Sequence, residues 1–174
     1  MIFVKIPNLG DKSVSTIGYD TGDWFIADSF SFGVEREMKE SGEKAGVDDI
    51  NIGVGELQEC TISKSMDMAS MALAQFAING NSLGTAELHF VEVAGGGDGA
   101  PVCYLKYKLD RCFVKSWSVS GDADDRPTEE VAFYFNRIAS QFAMTKDGKV
   151  FTQSTVMAWD KTKQITWDSP GIRW

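Results

Sequence analysis

Apolar and polar residues alternate one by one through much of this chain, and a period of two commits those segments to strands. The pattern is plainest at residues 102–109, where Cys103, Leu105, Tyr107 and Leu109 alternate with Tyr104, Lys106 and Lys108. It continues through 112–120, with Phe113, Lys115, Trp117 and Val119 set against Cys112, Val114, Ser116 and Ser118. Residues 2–6, 24–35, 56–64, 85–93, 129–143 and 150–158 read as further strands. In the 24–35 strand Phe30 and Phe32 share one face while Ser29, Ser31 and Gly33 share the other, so one side packs and the other is small and polar. One segment departs from this. From Met66 to Asn79, Met68, Met71, Ala72, Gln75, Phe76 and Asn79 recur at spacings of three and four, which predicts a helix with that stripe in the core. Asp67 or Ser65 is placed to cap its start, and Asn79-Gly80 to end it.

Hairpin turns are expected at the Gly-rich residues 94–101 and at Lys146-Asp147-Gly148-Lys149. The first joins strand to strand and lacks both the Gly-Lys-Ser/Thr ending and the helix of a phosphate-binding loop. Residues 36–50 are densely charged and contain Gly42 and Gly46. A loop of that length is either a solvated surface loop or an arm that meets a partner subunit. Eight or nine strands, one short helix and one long loop predict a single mainly β domain over residues 1–174, a barrel or sandwich. The tail, about 160–174, carries Trp167 and Trp174 in a polar setting and predicts an exposed contact surface.

Composition removes several function classes. The 174 residues carry 17 basic and 25 acidic side chains, a net charge of −8, which disfavours binding to nucleic acid or anionic membranes. No apolar run reaches the roughly 20 residues of a membrane-spanning helix. No Sec leader is visible at the N-terminus, so any export is expected to take another route. Cys60, Cys103 and Cys112 form neither a disulfide framework nor a metal knuckle, although Cys103 and Cys112 can pair if their strands do. The single histidine, His89, rules out a His-rich zinc site, and its place between Leu88 and Phe90 predicts that it faces solvent or an interface. Asp122, Asp124 and Asp125 lack the ligand order and closing Glu of a calcium loop. No catalytic constellation, metal site or cofactor site is expected.

The order of motifs resembles the hemolysin-coregulated protein (Hcp) family, the tube protein of the bacterial type VI secretion system. Phe3-Val4-Lys5-Ile6 resembles the family's first strand, and Asp28-Ser29-Phe30-Ser31-Phe32-Gly33 its second. The charged loop sits where the family has an extended loop. Lys64, Asp67 and Ser70 match its Lys-x-x-Asp-x-x-Ser segment before the single helix. Pro127-Thr128-Glu129, followed by Val131, Phe133 and Ile138, is similar to its Pro-Thr-Glu strand, and Ala158-Trp159-Asp160 to its late Trp-Asp step. The resemblance covers about residues 2–160. The chain departs from it at Ser70-Met71, where family members often have Ser-Pro, and in a more acidic 36–50 loop.

The resemblance implies a compact β-barrel of two antiparallel sheets with one short helix and a long protruding loop, related to phage tail tube proteins. It implies homohexameric rings stacked into a tube inside a contractile sheath and beneath a spike protein. The tube can hold effector proteins, and is assembled in the cytoplasm and then secreted. It implies no enzyme activity and no cofactor. Within it, Lys39, Glu40, Glu43, Lys44, Val47, Asp48 and Asp49 of the loop are the expected subunit interface, its mixed charges setting register. Ser29 and Ser31 are the expected lumen-facing residues. Three other readings stay open: the tube of a phage tail or related injection device, a monomeric carbohydrate-binding sandwich using Trp117, Trp159 or Trp167, and a small hydrolase using paired acids such as Glu129-Glu130 or Asp48-Asp49.

Overall fold

The computed structural model describes residues 1–7, 9–10, 14–40, 50–93, 101–146 and 148–174, without the side chains of 38–40, 50–54 and 93. Thirteen strands and one helix lie among them. In chain order they are β1 (Ile2–Lys5), β2 (Trp24–Ala27), β3 (Ser29–Ser31), β4 (Val34–Glu40), β5 (Ile50–Leu57), β6 (Cys60–Ser65), α1 (Ser70–Asn79), β7 (Ser82–Val93), β8 (Pro101–Ser120), β9 (Thr128–Tyr134), β10 (Arg137–Lys146), β11 (Lys149–Gln153), β12 (Met157–Asp160) and β13 (Ile165–Thr166).

The mainly β architecture agrees with the alternation, but the strands divide differently. Residues 102–109 and 112–120 are one strand, β8, that passes through Arg111 with a positive φ of 51°. On one edge β8 pairs with β7. On the other it pairs first with β10, over Leu105–Asp110, and then with β9, over Phe113–Ser120. The bulge at Arg111 marks the change of partner, as bulges do where a sheet must bend. The expected 129–143 strand is accordingly two, broken at Phe135 and Asn136. The expected 24–35 strand also breaks, at Asp28. There the chain leaves β2, which pairs with β1, and enters β3, which pairs with β6. The expected 56–64 strand breaks at Gln58 and Glu59, between β5 and β6.

The breaks at Asp28 and at Phe135–Asn136 roll the sheet. Eleven strands form one antiparallel network: β13-β12-β10-β8-β7-β1-β2 in order, with β9, β6 and β3 leading away from the other half of β8 and β11 paired with β10. Asp28 ties the two free ends together. Its main-chain N–H donates to Ser63 O at 2.8 Å, and its Oδ2 accepts from Ser65 N at 3.1 Å. The result is one sheet folded on itself rather than two separate sheets, its ladder not hydrogen-bonded shut. Val4, Phe25, Ile62, Leu88, Leu109 and Phe133 are fully buried between the layers.

The helix starts later than the capping pattern predicts, at Ser70. It ends as predicted, with Gly80 left-handed at φ 68° and its N–H bonded to Phe76 O at 3.0 Å. Its core face also differs. Ser70 and Leu73 are buried and Phe76 partly so, whereas Met68 is 80% and Met71 59% exposed. Only part of the expected stripe, Ala72 and Phe76, packs against the core, where the helix meets β8. Cys103 and Cys112 lie nine residues apart on the same strand, about 30 Å along it at ~3.3 Å per residue, so they cannot pair; all three thiols are free.

Candidate assembly surfaces

Alternation along β6 puts Cys60, Ile62 and Lys64 on its inner face, so a lysine is carried into the core. On β9 the same rule carries Glu129 inward beside Val131 and Phe133. Lys64 pairs with Glu129 in the ladder, and its Nζ stands 2.6 Å from Glu129 Oε1, with both side chains fully buried. Nζ also reaches Asp67 Oδ1 at 2.7 Å, Ser70 Oγ at 3.2 Å and Ser65 O at 3.0 Å. The Ser70 hydroxyl donates to Glu129 Oε1 at 2.9 Å and accepts from Asp67 N at 2.9 Å. The Trp117 indole donates to Glu129 Oε2 at 2.7 Å. Among the described residues no buried side-chain polar atom is left without a partner. A charge removed from water needs this degree of satisfaction. Asp67, expected as a helix cap, accepts instead from Ala69 N at 2.9 Å and closes the turn into α1. The network therefore pins the start of α1 to β6 and β9.

The opposite face of the same sheet is small and polar. Ser29 pairs with Ser63, Ser63 with Glu130, and Glu130 with Ser118. The next row runs Ser31, Thr61, Ala132 and Ser116. Ser29 and Ser31 are both exposed, and the hydroxyls of Ser29 and Ser63 lie 2.6 Å apart. Phe30 turns the other way, against Phe90 at 5.4 Å and Tyr107 at 4.8 Å. Alternation had placed Ser29 and Ser31 on one small face; the ladder extends that face over four strands.

Residues 36–50 are not wholly a loop. Residues 36–40 continue β4 and residue 50 opens β5, and among the described residues the two strands pair only with each other. Lys39 lies opposite Asn51 and Glu40 opposite Ile50. Glu43, Lys44, Val47, Asp48 and Asp49 lie outside the described residues. At the base of this ribbon Gln58 N donates to Gly33 O at 2.9 Å.

The family model for the type VI secretion system effector Hcp matches residues 15–142. The chain belongs to the Hcp family. Hcp is a secreted effector and tube protein of type VI secretion, and the family is one of structural proteins rather than enzymes. No curated protein matches the chain by sequence. Solved structures share its fold. A type six secretion system protein superposes with a TM-score of 0.81 at 22% identity, covering 95% of this chain and 98% of that one. Hcp1 from Salmonella typhimurium gives 0.69 at 18%, covering 95% and 97%. Hcp3 from Pseudomonas aeruginosa gives 0.58 at 15%, covering 92% and 99%.

In this Hcp-family chain several expected surface residues are partly covered. His89 lies on the outer face of β7 but is mostly covered. It lies against Trp24 at 4.7 Å and is hydrogen-bonded to Tyr19 at 3.2 Å. Burial, and then the charges of Lys106 and Lys5, lower its pKa to about 3. Trp167 lies under Arg137 at 4.8 Å, and Trp174 donates to Gln141 Oε1 at 2.7 Å, so the tail folds back on the sheet instead of presenting free tryptophans. Trp117, Trp159 and Trp167 are each half-buried and make no stacking platform for sugar. Glu129 and Glu130 point to opposite faces and cannot act as an acid pair. Asp48 and Asp49 lie outside the described residues.

Proposed function

We propose that this chain is a single tube domain over residues 1–174 whose copies close into hexameric rings and stack. The observation that carries this reading is the β4–β5 ribbon, which pairs with no other strand among the described residues. A lone two-stranded ribbon is marginal in water at best and gains stability by packing on a neighbour. Ring closure requires such a heterologous contact, one surface meeting a different surface on the next copy. Lys39, Glu40, Glu43, Lys44, Val47, Asp48 and Asp49 form that contact, and their mixed charges set its register.

The small, polar face of β3, β6, β9 and β8 lines the lumen, with Ser29 and Ser31 near one edge and Glu130 within it. Its mostly short hydroxyl side chains suit a channel that must pass effector proteins without holding them. Contractile sheath and spike protein are the outer partners, and the assembled tube is exported. No described helix is long and apolar enough to cross a membrane. The role is structural, with no catalytic step. Membership in the family favours a type VI tube over a phage-tail tube.

Light scattering coupled to size-exclusion chromatography, followed by negative-stain electron microscopy, tests the assembly. Rings of about six subunits are expected. A monomer at every concentration, with no rings on a purified tube template, overturns it.

A further inference from the structure

A cleft of about 210 Å³ lies between the C-terminal segment and the outer face of β7 and β8. Glu87 and His89 reach it from β7, Lys106 and Lys108 from β8, and Gly171 and Arg173 from the tail. In a chain of net charge −8, three cations meet here with one acid. Among the described residues none of the three forms an ion pair. Glu87 lies directly across the ladder from Lys108, yet Lys108 turns away from it to Gly171, where an added Cβ would stand 3.4 Å from Nζ. Glu87 instead approaches His89 Nε2 at 3.8 Å. Lys106 donates to Arg173 O at 2.7 Å and lies over the Trp174 ring at 4.8 Å. The tail thus accepts a hydrogen bond from Lys106 and lies beside Lys108 without neutralising either. The depressed pKa of His89, lowered by Lys106 and Lys5 after burial, registers the same positive field.

We propose that this cleft binds a phosphate-class oxyanion, held by Lys106 and Lys108 from the sheet and by Arg173 from the tail. A doubly charged anion answers three cations better than a carboxylate does, and the guanidinium fork suits two of its oxygens. The volume admits inorganic phosphate or a small phosphomonoester. Bound there, the anion bridges the tail to β8. This goes beyond the assembly reading and does not depend on it.

His89 is the only histidine, so the imidazole ring signals in the NMR spectrum report on the cleft without overlap. The full chain is titrated with inorganic phosphate, and separately with glycerol phosphate, at constant pH and ionic strength. A saturable shift is expected, weakened about tenfold or more by Lys108→Gln and by Arg173→Gln, and strengthened by Glu87→Gln. Tighter binding of the ester identifies a phosphomonoester as the ligand; equal binding identifies free phosphate. The proposal is overturned by a shift that does not saturate, by one that chloride reproduces at equal ionic strength, or by one that neither cation variant changes while circular dichroism shows both folded.

Discussion

Lys64 and Glu129 are ladder neighbours on β6 and β9 whose charged groups meet at 2.6 Å with no exposure to solvent. Ser70 and Trp117 complete the carboxylate's bonds, while Asp67 holds the ammonium from the turn before α1. The three residues of the Lys-x-x-Asp-x-x-Ser segment and the Glu of Pro-Thr-Glu therefore act as one internal clamp. Breaking one side of a buried pair leaves an uncompensated charge. Lys64→Met is expected to cost about 3–5 kcal/mol in urea unfolding. The double variant Lys64→Met, Glu129→Met recovers part of that loss, because it leaves no bare carboxylate. A cost below about 1 kcal/mol for Lys64→Met would mean that water reaches the pair.

Acid sensitivity follows from His89. Its folded pKa, about 3, lies below its ordinary 6.5, so the unfolded chain binds the proton more readily. The stabilisation from keeping the ring neutral is complete above about pH 6.5 and is lost as pH falls toward 3. The slope approaches one proton, about 1.4 kcal/mol per pH unit. Glu87, Lys5, Lys106 and Tyr19 are the titratable groups around it. In His89→Gln the difference in stability between neutral pH and about pH 4.5 should shrink by about 2.5 kcal/mol, that slope acting over roughly two pH units. Equal profiles for the two proteins would refute it.

Asp110 anchors the tail. Burial opposes its charge, but hydrogen bonds from Arg137 and Thr85 and the charge of Arg137 outweigh it, so its carboxyl sits below the ordinary range. Arg137, bonded to Asp110 through Nε at 2.8 Å, in turn carries Trp167 against its guanidinium. This contribution is present above the ordinary carboxyl pKa and is lost as pH falls through the lowered one. Asp110→Asn is expected to cost about 1 kcal/mol and to shift Trp167 emission to longer wavelength. Trp167→Phe controls for the other four tryptophans. Unchanged emission would place the anchor elsewhere.

Gly80 ends α1 at φ 68°, and an added Cβ there would meet nothing within 4 Å. Gly80→Ala therefore isolates backbone strain from packing. A loss of about 1 kcal/mol in thermal or urea unfolding is expected, with assembly unchanged.

Ser31→Trp tests the lumen. On an exposed face opposite Phe30, a tryptophan should alter retention of co-purifying effector while rings still form in electron micrographs. Loss of rings would instead put Ser31 in a packed contact.

Alternation alone determined the β character of the chain and the opposite faces of Ser29 and Phe30. It also sent Lys64 and Glu129 to the parity of Ile62 and Val131, a signal visible before any coordinates. Gly80 ended the helix as its neighbours indicated, because a left-handed turn is a local event. Pairing is not local. Nothing within residues 102–120 says that one strand serves two partners, or that Asp28 moves the chain from β1's neighbour to β6's. Those breaks depend on which strands lie alongside, and a strand stays straight until its neighbours require a bend. The same holds for side chains at the surface by parity. His89 alternates outward on β7, and it is covered there by Tyr19 and Trp24, residues distant in sequence. Period two decides which way a side chain points; tertiary structure decides what waits for it there.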